Sequence, residues 1–332
     1  VKKVEHKMNL QLFAETTIPT ELVEKAWGKE VWAQALKDTY FSKFTGVGNG
    51  FIIDKMTNLK KEAGDTIVIP LMMPLAGRGV EDDAQLEGQE EALQFYNFAV
   101  QVHEKAHAVK LKGKLEEQKT SIDLRKHAKQ GLSTWLTDTI DQMTFDALTA
   151  NPTNGRKVFA GTASAESAIS AGDTFTADLI GVAKRKAQLN HIRPVMVDGT
   201  KHYVLVINPY QARDLKNDAK WIDAQKYANV RGRENPIFTG ALGMYDNVII
   251  HEHENIKVTK TGASSAEVGH ALLLGAQAGA FAIAQEAQWN EKAFDYGRKY
   301  GVSIATIFGV AKAKFNDEDF STIQIMTACK PD

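Results

Sequence analysis

A single cysteine, Cys329, stands in 332 residues, so no internal disulfide framework can form, and folding in a reducing compartment is implied. The formal charge is -1, with 40 lysines and arginines against 41 acids, so there is no global field to draw the chain onto nucleic acid or acidic lipid. No apolar run approaches the ~18 residues that a membrane span needs, and the opening VKKVEHKMNLQLFAE is too polar in its middle for a secretory signal. No serine elbow, dinucleotide fingerprint or kinase signature occurs. GVGNG at 46–50 lacks the Gly-Lys-Ser/Thr ending of a phosphate loop and has no strand before it, so it reads as a turn. The expectation is a soluble chain made in a cytoplasm, with no membrane partner and no cofactor.

What is present is ordinary globular material. Apolar residues make up 43% and charged residues 24%, enough for two or three cores. One enzyme-like pattern stands out, His103-Glu104-Lys105-Ala106-His107, which spells the zinc-protease motif. That motif needs a helix, where positions i and i+4 share a face. Here the approach QFYNFAVQV alternates apolar and polar residues at a strand's period of two. On a strand the two imidazoles would lie roughly 13 Å apart, too wide for one metal. The longer metzincin pattern also fails, with Lys110 and Gly113 where glycine and histidine are required. The expectation is two solvated histidines on a strand, no metal and no catalysis.

Along the chain, a polar N-terminal stretch leads to a helix from Thr20, with Val23, Ala26, Trp27, Leu36, Tyr40 and Phe44 at helical spacing. From Asp65 a strand interrupted by Pro70 and Pro74 runs into an acidic, glycine-bearing middle and returns, which predicts a protruding two-stranded loop. Its tip carries Glu81, Asp82, Asp83, Glu87, Glu90 and Glu91, with no basic residue between Gly79 and Val102. Thr120, Ser121 and Asp123 predict the capped start of a long helix over 120–150, a strut of about 45 Å. A small-residue linker follows. Then helix over TADLIGVAKRKAQL, strand over HYVLVINP, helix over YQARDLKNDAKW, polar loop and strand NVIIH read as a small inserted α/β domain. His251-Glu252-His253-Glu254 places both histidines on one face of that strand, expected to be a solvated end. The last stretch returns to alanine- and glycine-rich strands, small enough for close approach by the long helix.

An arm, a projecting hairpin, a strut and an inserted domain leave much surface on extensions that need neighbouring copies for support. MNLQLFAE from Met8, GDTIVIPLMMPLAGRGVEDDAQLEGQEEALQFYNFAV, YVLVINPYQARDL and YGVSIATIFGVAKAKFNDEDFSTIQI resemble the major capsid proteins of tailed bacteriophages. More narrowly, they are similar to the subfamily named after the coliphage N-four capsid protein. The resemblance covers nearly everything after residue 7. It implies an α+β chain with the Hong Kong 97 (Johnson) fold: N-terminal arm and helix at 1–50, extended loop at 51–112, peripheral domain from 113–154 and 286–332 around the spine helix, and axial domain at 155–285. It further implies hexamers and pentamers in an icosahedral shell around double-stranded DNA, contacted non-specifically at the inner surface, in virions assembled in the bacterial cytoplasm.

On this resemblance the acidic tip is expected to lie over a neighbouring subunit, with Lys126, Lys129, Arg231 and Arg233 as basic partners. The distal loop has Arg78 and no lysine, so the covalent lysine link of some relatives has no donor there. The residues before the first helix leave no room for the long scaffolding segment of others, which implies a separate scaffolding protein beside a portal and a decoration protein. Met8 is the expected start, with VKKVEHK as translated leader. Two other readings are a compartment shell of the same fold enclosing protein cargo, and a zinc hydrolase built on His103, Glu104 and His107.

Overall fold

A computed structural model describes residues 20–330 apart from 49, 58–63, 73–78, 82–84, 86, 89, 93–94, 113–118, 120–122, 198, 228–240 and 297. The first helix, α1 (Thr20–Asp38), ends where the Thr39 hydroxyl turns back onto the Ala35 carbonyl, and Tyr40–Phe44 tightens into a 3-10 turn. The helical spacing expected through Phe44 therefore spans two kinds of helix. Strands β1 (Thr45–Gly46) and β2 (Ile53–Met56) follow.

The expected hairpin is there as β3 (Thr66–Met72) and β4 (Phe95–Gln101), paired antiparallel from Thr66 opposite Gln101 to Met72 opposite Phe95. Pro70 does not interrupt β3; it pairs in register with Asn97. A two-stranded ribbon has a free edge on each strand, where a missing N–H costs nothing. The run through HEKAH is a strand, but not the same one. The chain breaks at Val102 and continues as β5 (His103–Lys110), which leaves the ribbon and joins another sheet.

The long helix, α2 (Leu124–Thr149), has 26 residues, about 39 Å. Its cap is Asp123, whose carboxylate accepts the Arg125 and Lys126 N–H groups, three residues later than the expected start at Thr120. Ala128, Leu132, Leu136, Ile140, Phe145 and Leu148 form its buried stripe. The stretch expected to be a linker contains β6 (Lys157–Phe159). Then come α3 (Ala177–Leu189), β7 (Val195–Val197) and β8 (Thr200–Ile207). The single helix expected next is two, α4 (Pro209–Asn217) and α5 (Ala219–Tyr227). Asn208-Pro209-Tyr210-Gln211 is a complete capping box with proline at the first position, so the helix starts at Pro209 and the strand stops before it.

The remaining strands are β9 (Ala241–Tyr245), β10 (Val248–Glu252), β11 (Val258–Thr259), β12 (Val268–Leu274), β13 (Gly279–Phe294), β14 (Lys299–Lys312), β15 (Lys314–Phe315), β16 (Glu318–Asp319) and β17 (Thr322–Ala328). Among the described residues they make a five-stranded sheet in the order β1-β2-β13-β14-β5 and an eight-stranded sheet. The second has the path β6-β17-β12-β8-β10-β9, with β11 on β12 and β7 on β8. Strand β17 thus lies in the sheet of the inserted α/β region, between β12 and β6, and not with β14.

Because strand side chains alternate, the eight-stranded sheet feeds two cores. Val204, Val206, Ile249, Leu272 and Leu274 face the long helix, α1 and the five-stranded sheet. Leu205, Ile207, Ile250, Leu273 and Ile323 face α3, α4 and Trp221. Burial on both faces explains runs such as HYVLVI that show no polar alternation. Small residues do permit close approach: a Cβ on Gly279 would sit 3.3 Å from the Leu148 side chain, and one on Gly28 would sit 2.9 Å from the Ala287 carbonyl oxygen.

Candidate functional site: the assembly surfaces

The ribbon β3–β4 is rooted by a small apolar cluster, Ile67 and Val100 against Ala280 and Ala282. This places its base at the start of β13 and the end of β14. At the crossing point the Gln101 carbonyl passes directly over Gly309 of β14, in the space a side chain would occupy. Phe98 packs edge-on to Phe315 at 5.1 Å, fixing the ribbon against β15.

Of the six acids expected at the tip, Glu81, Glu87, Glu90 and Glu91 are exposed, while Asp82 and Asp83 lie outside the described residues. Glu90 accepts the Gly88 N–H at 2.7 Å, and Gly88 has φ +89°, a backbone shape that suits glycine. Lys126 is exposed on the first turn of α2. Lys129 is engaged within the chain by Glu30 at 2.5 Å. Arg231 and Arg233 fall outside the described residues. Arg125 pairs with Glu291 on β13, so the start of α2 sits towards the β13–β14 turn. The ribbon leaves from the opposite end of that sheet. The root of the ribbon and Lys126 therefore lie at opposite ends of the sheet.

His103 and His107 pair in register with Phe308 and Ile304, and both are exposed with Glu104. The helix that a zinc-protease motif requires is absent there. His107 has a packing role, its ring stacked on Trp135 of α2 at 4.8 Å. Among the described residues no group of three histidine, cysteine or acidic side chains could hold a metal ion. Cys329 is buried, and burial, reinforced by Asp214 and Glu267, pushes its thiol up to about 12. Such a thiol is not a nucleophile at neutral pH. It should therefore resist iodoacetamide at pH 7.5 until the chain is unfolded, which intact mass spectrometry would read directly.

Two polar clusters were not legible from spacing. Lys312 and Asp319, 4% and 1% exposed, form a buried ion pair at 3.0 Å. The Lys312 ammonium also donates to the Ala150 carbonyl at the end of α2, and Asp319 accepts the Thr153 N–H. The cluster ties the helix terminus to the β15–β16 hairpin. Its sequence signal is Asn316-Asp317, both with positive φ, the shape of a two-residue hairpin turn between flanking charges. The second cluster corrects the expectation for HEHE. His251 is 1% exposed and His253 is half-buried, both among Tyr40, Phe44 and Phe145. The face they share points into the protein, where α1's turn and α2 cover it.

A family model described as phage capsid protein matches residues 16–330. The chain belongs to the phage capsid protein family. It is 30% identical to the major capsid protein of Pseudomonas phage KPP25, over 91% of this chain and 94% of the relative. Among solved structures it resembles the capsid of Ralstonia phage GP4, with TM-score 0.81 and 29% identity over 89% of this chain and 92% of that one. The Cyanophage Pam1 capsid gives TM-score 0.76 and 26% identity, over 90% and 94%. The fold is therefore that of the Hong Kong 97 capsids, and the chain is a structural subunit of a phage head. Copies of this capsid protein build the icosahedral shell of the virion.

Proposed function

We propose that this capsid protein serves a tailed, double-stranded DNA phage, assembling in the bacterial cytoplasm as hexamers and pentamers with a separate scaffolding protein, a portal and a decoration protein. Residues 1–50 act as arm and helix, 51–112 carry the extended loop as the β3–β4 ribbon between β2 and β5, which pair into the five-stranded sheet, and 155–285 act as the axial domain up to its junction with β13. The peripheral domain comprises 113–154 with 286–321, since β17 is hydrogen-bonded into the axial sheet. Inner-surface contact with packaged DNA is electrostatic and sequence-independent.

The observation that carries this reading is the capsid-family match over residues 16–330. The exposed acids beyond the rooted ribbon support a contact between copies, because the ribbon's root and the basic start of α2 sit at opposite ends of one sheet. The acids meet Lys126 and neighbouring bases on the next subunit. Exposed pairs contribute about 0–1 kcal/mol each and are screened by salt, so they set register more than strength. Neutralising the six (Glu81→Gln, Asp82→Asn, Asp83→Asn, Glu87→Gln, Glu90→Gln, Glu91→Gln) should slow assembly at low salt. The deficit should shrink as salt rises. Light scattering across a sodium chloride series reads this, and an unchanged low-salt rate would remove the contact.

The whole reading is tested by negative-stain microscopy of the purified protein, alone and co-expressed with the scaffolding gene, with zinc measured on the same sample. Uniform closed shells are expected. A monodisperse monomer holding one zinc per chain would overturn it.

A further inference from the structure

The 3-10 turn Tyr40–Phe44 is held between the two halves of the molecule. On one side the Tyr40 N–H donates to the Asp141 carboxylate of α2 at 2.9 Å. On another, the Tyr40 ring lies 4.4 Å from the ring of His253 and 6.1 Å from that of His251, while Phe44 lies 5.3 Å from His251. Phe145 of α2 closes the group at 4.7 Å from His253. The Tyr40 hydroxyl and one Asp141 oxygen are buried without a hydrogen-bond partner, so the site is polar and imperfectly satisfied. Against the other side of the turn lies a cavity of about 110 Å³, lined by Phe41, Ser42, Thr45, Ile53, Ile140 and Phe281. A segment with titratable groups on one side and unfilled space on the other can move.

We propose that Tyr40–Phe44 is a proton-gated clasp: proton uptake by His251 and His253 drives it off β10, whereas proton uptake by Asp141 holds it shut. The inference concerns the joint between the sheets and does not depend on how copies assemble. The charged groups facing the cluster are Lys43 on the turn, Asp138 and Asp141 on α2, and Glu254 beyond β10. Burial, with Lys43 pushing the same way, lowers His251 to about 4; burial lowers His253 also, against the pull of Glu254. Burial raises Asp141 to about 6, against the Tyr40 and Phe41 N–H groups, with Asp138 adding to the rise.

The signs follow from linkage. A histidine depressed in the closed state leaves closure intact above pH ~6.5 and weakens it about tenfold per unit from there towards 4. A carboxyl raised in the closed state binds its proton more readily when closed, so it favours closure as pH falls through about 6 towards the ordinary carboxylate value. The two titrations oppose each other across the same window. Cation–π attraction between a charged imidazole and the Tyr40 or Phe145 ring offsets a part of the histidine effect.

The test is hydrogen exchange of peptides covering 39–46 in the full-length protein at pH 7.5 and 4.5, expressed as protection factors. Exchange in β12 and β17 serves as the check that the fold persists. In the unsubstituted protein the protection of the turn should change by less than about tenfold, since the titrations compensate. Asp141→Asn removes the restraining titration, so protection should fall by at least about tenfold between the two pH values from His251 alone. Adding His251→Phe and His253→Phe to Asp141→Asn should flatten the response. If the phenylalanine variants lose protection in β12 or β17 at pH 7.5, leucine replaces them. An acid response in Asp141→Asn no larger than in the parent, or one that survives loss of both histidines, overturns the clasp.

Discussion

Replacing Gly309 by alanine should unseat the extended loop and cost about 3 kcal/mol, at the upper end of what overpacking does. A Cβ there would stand 2.0 Å from the Gln101 carbonyl oxygen, 2.8 Å from its carbon and 3.1 Å from the Val102 Cα. All three are backbone atoms, so no rotamer change relieves the contact. Either the ribbon lifts at Val102, breaking the Val102 N–H bond to Asp65, or β14 shifts and loses register with β5. Limited proteolysis within 73–94 should accelerate, and shells should fail to form even where the subunit stays soluble. Gly131→Ala is the matched control. It lies on the exposed face of α2 with nothing within 4 Å of its Cβ, so it should stabilise by about 0.5–1 kcal/mol. Equal behaviour of the two variants in chemical denaturation would show that the crossing is not tight.

Lys312→Met should destabilise by about 3–5 kcal/mol, because it leaves Asp319, 1% exposed, without its cation. Lys314, 3.8 Å from the same carboxylate and more exposed, offsets a part. Asp319→Asn strands the ammonium instead and loses charge at the Thr153 N–H, a comparable effect in the same direction. The double variant Lys312→Met with Asp319→Leu should recover much of the loss, since two apolar groups of similar volume carry no desolvation penalty. Denaturation of the parent, Lys312→Met, Asp319→Leu and the double variant gives the coupling energy. A double variant as unstable as the sum of the singles would mean that the cluster acts through shape alone.

Long periodic elements were legible before any coordinates: the two-stranded ribbon at 66–101, the strut helix, and the strands NVIIH and YGVSIATIFGVAKAKF. The acidic tip was legible as a charge run, and HEKAH as a strand through the alternation before it. The departures have local causes. The strand through Pro70 survives because a ribbon edge does not need that N–H. The strut starts at Asp123 because its carboxylate reaches two N–H groups, a choice among three candidate caps that spacing cannot make. Lys157–Phe159 is too short and too plain to announce a strand, and owes its conformation to β17, far away in the chain. HEHE reads in the sequence as a solvated strand end. Period two sends the acids outward and the imidazoles onto Tyr40 and Phe145, contacts more than a hundred positions distant. The pairing of Lys129 with Glu30, ninety-nine positions away, is a contact that spacing does not show.

The position of β17 has a further consequence for biogenesis. Strand β6, made early, is joined to the eight-stranded sheet through β17, and β17 occupies residues 322–328. During synthesis the N-terminal portion can collapse as it emerges. The gap between β6 and β12 nevertheless stays open until translation has passed residue 328. Prematurely terminated products would expose two unfilled strand edges and the apolar face beneath Ile323 and Ile325. Residues 322–328, near the end of the chain, are therefore what closes the eight-stranded sheet between β12 and β6.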